Sequence, residues 1–127
     1  MTLGFQQKFL PIILDGRKIH TIRKDQKNRW KAGRKIHFAT GVRTSEYNQF
    51  MTGVCTGVQD INIMTGEIYH ITINGRQIEN FEISDLVKND GFETLYEFYD
   101  FFEKTYGRGL FEGKLIHWTD YRYGVIK

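Results

Sequence analysis

Gly16-Arg17-Lys18-Ile19-His20-Thr21-Ile22-Arg23 decides how the rest of the chain is read. A glycine closes an apolar segment, and three cations, a histidine and a threonine follow it. Read as a strand from Ile19 to Arg23, its side chains alternate between faces. Ile19, Thr21 and Arg23 then share one face, and His20 and Ile22 take the other. Lys18 stands just before the strand, free to lean toward whatever Thr21 and Arg23 line. A lysine, a hydroxyl and a guanidinium at one mouth suit a phosphate, a carboxylate or a polarised carbonyl. An amphipathic edge strand with its cations in water is the plainer reading of the same residues.

Upstream, Thr2 to Phe5 reads as a short first strand. Phe5, Phe9, Ile12 and Ile13 then fall on one face of a short helix that Gly16 ends as its C′ glycine. Pro11 is compatible with that helix only in its first turn, so the helix starts late or bends there. Downstream, Lys24 to Lys31 is a polar loop with Trp30 as its one large apolar residue. Trp30 fits either a plug in the core or a stacking platform beside the cations. Lys35 to Thr40 reads as a strand with Ile36 and Phe38 on one face, and Gly41 to Gln49 as a loop carrying Arg43, Thr44 and Tyr47. Phe50 to Ile63 has the content of one long strand, with Gly53 and Gly57 marking bulges or a bend. Ile68 to Ile73 alternates, Asn74-Gly75 is the strongest hairpin signal in the sequence, and Arg76 to Ile78 is its return strand. Strands closely joined by turns, without βαβ alternation, point to a small barrel.

Ser84 is placed to cap a short helix through Val87. Thr94-Leu95-Tyr96-Glu97 matches a capping box. The helix it opens carries Leu95, Phe98, Phe101, Phe102 and Tyr106 as an apolar stripe toward the core. Lys114 to Thr119 reads as the closing strand. With 127 residues, ten Phe, seven Tyr, two Trp and a single Pro, the chain is expected to form one folded domain over residues 1–127.

Charge is divided unevenly along it. The net charge is +3, yet residues 1–45 carry eleven Lys and Arg against only Asp15 and Asp25. A basic end can hold an acidic partner, and solvated surface charge accounts for the same bias. Cys55 is the only cysteine, which excludes an intrachain disulfide and speaks against a Cys-based zinc site. It reads as buried filler in a Gly-rich strand. The four histidines (His20, His37, His70 and His117) lack paired metal-ligand spacing and read as half-buried or surface strand residues, so neither metal nor cofactor is expected. No phosphate-binding glycine loop is present. The N-terminus does not resemble a signal peptide and no apolar run reaches membrane-spanning length, so no membrane partner and a cytoplasmic location are expected.

Two features remain: the Lys18/Thr21/Arg23 group, and Asp90 in Asn89-Asp90-Gly91-Phe92. A helix ending in glycine, then Lys-x-x-Thr-x-Arg, then a basic loop into Ala32-Gly33-Arg34-Lys35-Ile36-His37-Phe38, resembles the ASCH domain of the PUA-like superfamily. The aromatic helix after Asp90-Gly91-Phe92 and a final strand fit the same resemblance, which covers most of the chain. It implies an α+β fold, a small curved β-barrel with flanking helices, and a cleft facing RNA or a nucleotide. Some ASCH proteins are amidohydrolases that remove the acetyl group from acetylcytidine. Carried over, Lys18 is the base and Thr21 the nucleophile. Asp90 stands near the place of the family's glutamate, one methylene shorter, and a turn cap is its plainer role. Such a lysine must lose proton affinity through burial or a neighbouring cation, which Arg17 or Arg23 can supply. The rival functions are a non-catalytic RNA-binding or regulatory module, using Arg17, Arg23, Lys24 and Arg43 with Trp30 or Tyr47 for stacking, and a ribonuclease in the same cationic cleft.

Overall fold

The computed structural model describes residues 1–124 of the chain. It opens with β1 (Thr2–Phe5), a 3-10 turn at Gln7–Phe9 and α1 (Leu10–Leu14), followed by β2 (His20–Arg23) and β3 (Lys35–Thr40). Then come β4 (Asn48–Val54), β5 (Gly57–Thr65), β6 (His70–Ile73), β7 (Arg76–Gln77), α2 (Asn80–Asn89), α3 (Leu95–Tyr106) and β8 (Gly109–His117). Pro11 lies in the first turn of α1, where its missing N–H has no helical partner to lose.

The fold is α+β, with two sheets. One is three-stranded in the order β1-β3-β4, with β1 parallel to β3. The other is five-stranded and antiparallel, in the order β2-β8-β5-β6-β7. Among the described residues the strands form these two sheets and no closed barrel.

The expected single strand over Phe50 to Ile63 is two strands in different sheets. The chain changes sheets at Cys55-Thr56. Cys55 still exchanges backbone hydrogen bonds with Gly33 and Arg34, beside β3, whereas the Thr56 N–H donates to the His117 carbonyl of β8. Gly57 follows with the Arg122 guanidinium 2.7 Å from where a Cβ would stand, so a side chain here would displace that guanidinium. Cys55 itself is buried, and burial pushes its thiol up.

Ser84 does not cap a helix. α2 begins at Asn80, with Glu79 at its N-cap, and Ser84 lies inside it. Half of the capping box is present: the Thr94 hydroxyl accepts from the Glu97 N–H at 3.1 Å and caps α3. Of the α3 stripe, Phe98 and Phe102 are buried, while Leu95 and Tyr106 stay largely exposed. The hairpin turn has Asn74 at φ +52° and Gly75 at φ +77°, as a type I′ turn requires.

The core lies between the sheets and the helices and joins Ile36 and Phe38 of β3, Ile61 and Ile63 of β5, Leu115 and Ile116 of β8, and Phe98 and Phe102. His20 and His117 are fully buried, not half-exposed as expected. They face each other across the β2–β8 pair, where His20 is in register with His117, and their rings meet edge to face at 5.4 Å. No helix among the described residues is long and apolar enough to cross a membrane.

Candidate functional site

The end of α2 builds the site. Asp90 is its C-cap, and Gly91 follows at φ +97°. The Gly91 N–H donates to the Lys88 carbonyl and the Phe92 N–H to the Val87 carbonyl, the paired bonds of a Schellman motif. A Cβ on Gly91 would stand 2.7 Å from Ile12 Cδ1, so glycine is required by both backbone and space. The loop before β2 is tied to the same place. The Lys18 N–H donates to the Ile12 carbonyl of α1, and the Ile19 N–H to the Asn89 carbonyl at the end of α2. These bonds bring Lys18 and Asp90, 72 residues apart, into contact.

Lys18 Nζ donates to the Asp90 carbonyl at 2.6 Å and to Asp90 Oδ1 at 3.1 Å. Both side chains are almost wholly buried. His20 Nδ1 lies 3.1 Å from the same Oδ1, and His20 Nε2 lies 2.6 Å from the Tyr123 hydroxyl. Burial pulls the Lys18 ammonium below its ordinary value; Asp90 opposes this, and Arg23 and Lys8 add to the lowering. Burial likewise holds His20 low, against the pull of Asp90. On β2, the Arg23 Nε donates to the Thr21 hydroxyl at 3.1 Å, and a terminal nitrogen donates to the Gly4 carbonyl at 2.6 Å. Arg23 forms no ion pair among the described residues. Its guanidinium rests 5.0 Å from the Phe5 ring centroid.

Lys18, Thr21, Arg23 and Asp90 all line one cavity of about 180 Å³. Six aromatic residues also line it, Phe5, Phe9, Phe92, Phe101, Phe102 and Tyr106, together with Gln6 and Ile22. The volume lies below the roughly 300–1,000 Å³ of pockets that hold drug-sized ligands. Lys18 Nζ also sits 4.9 Å from the Phe9 ring centroid, which places the amine at the aromatic wall.

The other expected binding residues are placed elsewhere. Arg17 is exposed and paired with Asp15 at 2.8 Å; the cations that act on Lys18 are Arg23 and Lys8. Lys24 lies at the rim, with Nζ 5.4 Å from the Tyr106 ring centroid. Trp30 is buried in the core and does not line the cavity. Arg43 and Tyr47 are exposed in the turn between β3 and β4, also outside it. Sequence reasoning did not find His20, Tyr123 or Lys8 as parts of the site. For His20 a signal existed, since alternation in β2 turns it away from the Thr21 face and into the fold. Tyr123 had none, because it comes from irregular chain after β8.

No three His, Cys, Asp or Glu side chains among the described residues are gathered to hold a metal ion. Comparison with family models, curated proteins and solved structures finds no match to this chain.

Proposed function

We propose that this chain is an amidohydrolase of the ASCH type, with a PUA-like fold, acting on an acylated cytosine nucleoside. One observation carries the reading: Lys18, Thr21, Arg23 and Asp90 converge on a single small cavity with aromatic walls. The aromatic rings suit the faces of a pyrimidine, and the polar group meets its acylated edge.

Each residue has a distinct task. The neutral Lys18 amine has two N–H groups, and the two oxygens of Asp90 that it contacts take both. Its lone pair is left for a proton. Thr21 Oγ1 attacks the acyl carbonyl, forming an O–C bond as its proton passes to Lys18, directly or through one water. The free N–H groups of Arg23 stabilise the oxygen that gains charge. When the C–N bond breaks, the exocyclic amine leaves with the proton held by Lys18. Water then attacks the acyl-threonine ester as its proton passes to Lys18; the acyl C–Oγ1 bond breaks, Thr21 Oγ1 takes that proton back from Lys18, and the free acid leaves. Asp90 accepts two hydrogen bonds at Oδ1, which suits orienting the lysine.

The test is ultraviolet-monitored hydrolysis of acetylcytidine by the wild type, Lys18→Ala and Thr21→Val. Turnover by the wild type and a loss of at least about a hundredfold in both variants is the expected result. Thr21→Val at the wild-type rate would remove Thr21 as nucleophile. No turnover at high enzyme concentration would leave a nucleotide- or RNA-binding module, whose affinity should then fall steeply with salt.

A further inference from the structure

Behind Asp90 lies a chain of buried polar groups that never touches the cavity. Tyr123 does not line the cavity, yet its hydroxyl is 2.6 Å from His20 Nε2 and accepts from Asn89 Nδ2 at 3.0 Å. The main chain of Tyr123 is fixed as well. Gln59 Nε2 donates to its carbonyl at 2.9 Å, and its N–H donates to Gln59 Oε1 at 3.2 Å. His117 Nε2 lies 3.1 Å from that same Oε1 and donates to it. The next N–H, of Gly124, donates to Glu82 Oε2 at 2.6 Å. A two-point clasp on the backbone and two bonds on the hydroxyl leave the ring one position.

The directions of these bonds are forced. An amide nitrogen can only donate, so the phenol oxygen accepts from Asn89 and its own proton goes to His20 Nε2. Burial keeps that phenol protonated. A ring that accepts at Nε2 carries its hydrogen at Nδ1, where it faces the Asp90 carboxylate. The other tautomer would set the Nδ1 lone pair against a carboxylate oxygen.

Resting on the reading of Lys18 as the base, we propose that Tyr123 is a positioning residue of the deacylation site. Its hydroxyl fixes His20 in the Nδ1–H tautomer, which pins Asp90 Oδ1, and Asp90 holds the Lys18 amine at the cavity wall. Removing the hydroxyl leaves Nε2 buried without a donor and releases the tautomer, although no group that touches substrate has changed.

Two readouts test this. In two-bond proton–nitrogen correlation spectra of the histidine rings, the wild type should show His20 as the Nδ1–H tautomer, and Tyr123→Phe should show a shift toward Nε2–H. In the hydrolysis assay, Tyr123→Phe should lower kcat by about tenfold to a hundredfold with KM changed less than about twofold, because the binding walls are untouched. His20→Asn, which keeps an N–H near the Nδ1 position, should retain at least about ten times the kcat of His20→Leu. If Tyr123→Phe does not fold, the wild-type spectrum and the His20 pair decide. A wild-type His20 in the Nε2–H tautomer, or a folded Tyr123→Phe with unchanged spectrum and kcat, would overturn the proposal. Absence of turnover in the wild type would instead strike the reaction assigned above, while the spectra would still report whether Tyr123 sets the tautomer.

Discussion

Acid should destabilise this protein through His117, and the size of the effect follows from its surroundings. The ring donates from Nε2 to Gln59 Oε1, and its Nδ1 is buried with no hydrogen-bond partner. A second proton would create a buried donor without an acceptor, beside the His20 ring and Arg122. Burial first, then His20 and Arg122, push its pKa from 6.5 down to about 3. Above pH 6.5 neither the folded nor the unfolded chain holds the proton, so the stability is fully present there. As pH falls from 6.5 toward 3, the unfolded chain binds the proton and the folded chain does not, so stability is lost across that window. At ~1.4 kcal/mol per pH unit below the unfolded value, going from pH 7 to pH 5 removes about 2 kcal/mol. Urea unfolding at pH 7, 6 and 5 measures this for the wild type and His117→Gln, whose amide keeps a donor for Gln59 but does not titrate. The wild type should lose about 2 kcal/mol more than the variant over that range. Parallel curves would refute the reasoning, since they would mean that the folded chain takes up the proton near the ordinary histidine value.

Lowered proton affinity at Lys18 predicts a rate that rises with pH and levels off below the ordinary lysine value of 10.5; a kcat still climbing at that pH would remove Lys18 as the base. Gly91→Ala forces a side chain into a φ of +97° and against Ile12 and Phe9, so it should cost about 2–4 kcal/mol in thermal or urea unfolding and lower activity by displacing Asp90. Thr94→Ala removes the acceptor for the Glu97 N–H and should cost about 1 kcal/mol without altering kcat, because the cap lies outside the cavity.

How much of this was legible in the sequence depended on how local each cause was. Asn74-Gly75, the Thr94 cap and the bounds of β3 each rest on a few adjacent residues, and the fold has them where the sequence puts them. The Lys18, Thr21 and Arg23 group was also legible, because strand alternation and one preceding turn suffice to gather it. Phe50 to Ile63 misled, since a change of sheet at Cys55-Thr56 depends on Gly33, Arg34 and His117, all distant in the chain. Ser84 misled because hydroxyl caps are only a preference, and α2 starts at Asn80 with no side-chain cap. Asp90 read equally as a helix-ending turn residue and as a site residue. The structure gives it both positions at once, because its backbone caps α2 while its carboxylate meets Lys18.

The charges in the cavity explain why an arginine without a carboxylate partner is tolerable beside a buried lysine. With the Lys18 amine neutral, as the proposed reaction requires, Asp90 is the negative group and Arg23 the positive group that line the same cavity. The two balance across the site even though they do not pair directly, which limits the cost of burying each. An ammonium at Lys18 would break that balance and carry a third N–H beyond the two that Asp90 accepts. Burial lowers the proton affinity of Lys18, and its contact with Asp90 opposes that lowering. In the proposed attack on a neutral amide, the proton that reaches Lys18 and the charge that reaches the acyl oxygen appear together, so the total in the cavity stays unchanged. In that proposed reaction Asp90 is already fixed on the lysine that takes the proton, and Arg23 already donates to the threonine oxygen that attacks, beside the acyl oxygen that takes the negative charge. The groups that the proposed transition state engages are thus held in place before it forms, which is the condition for electrostatic catalysis with little reorganisation.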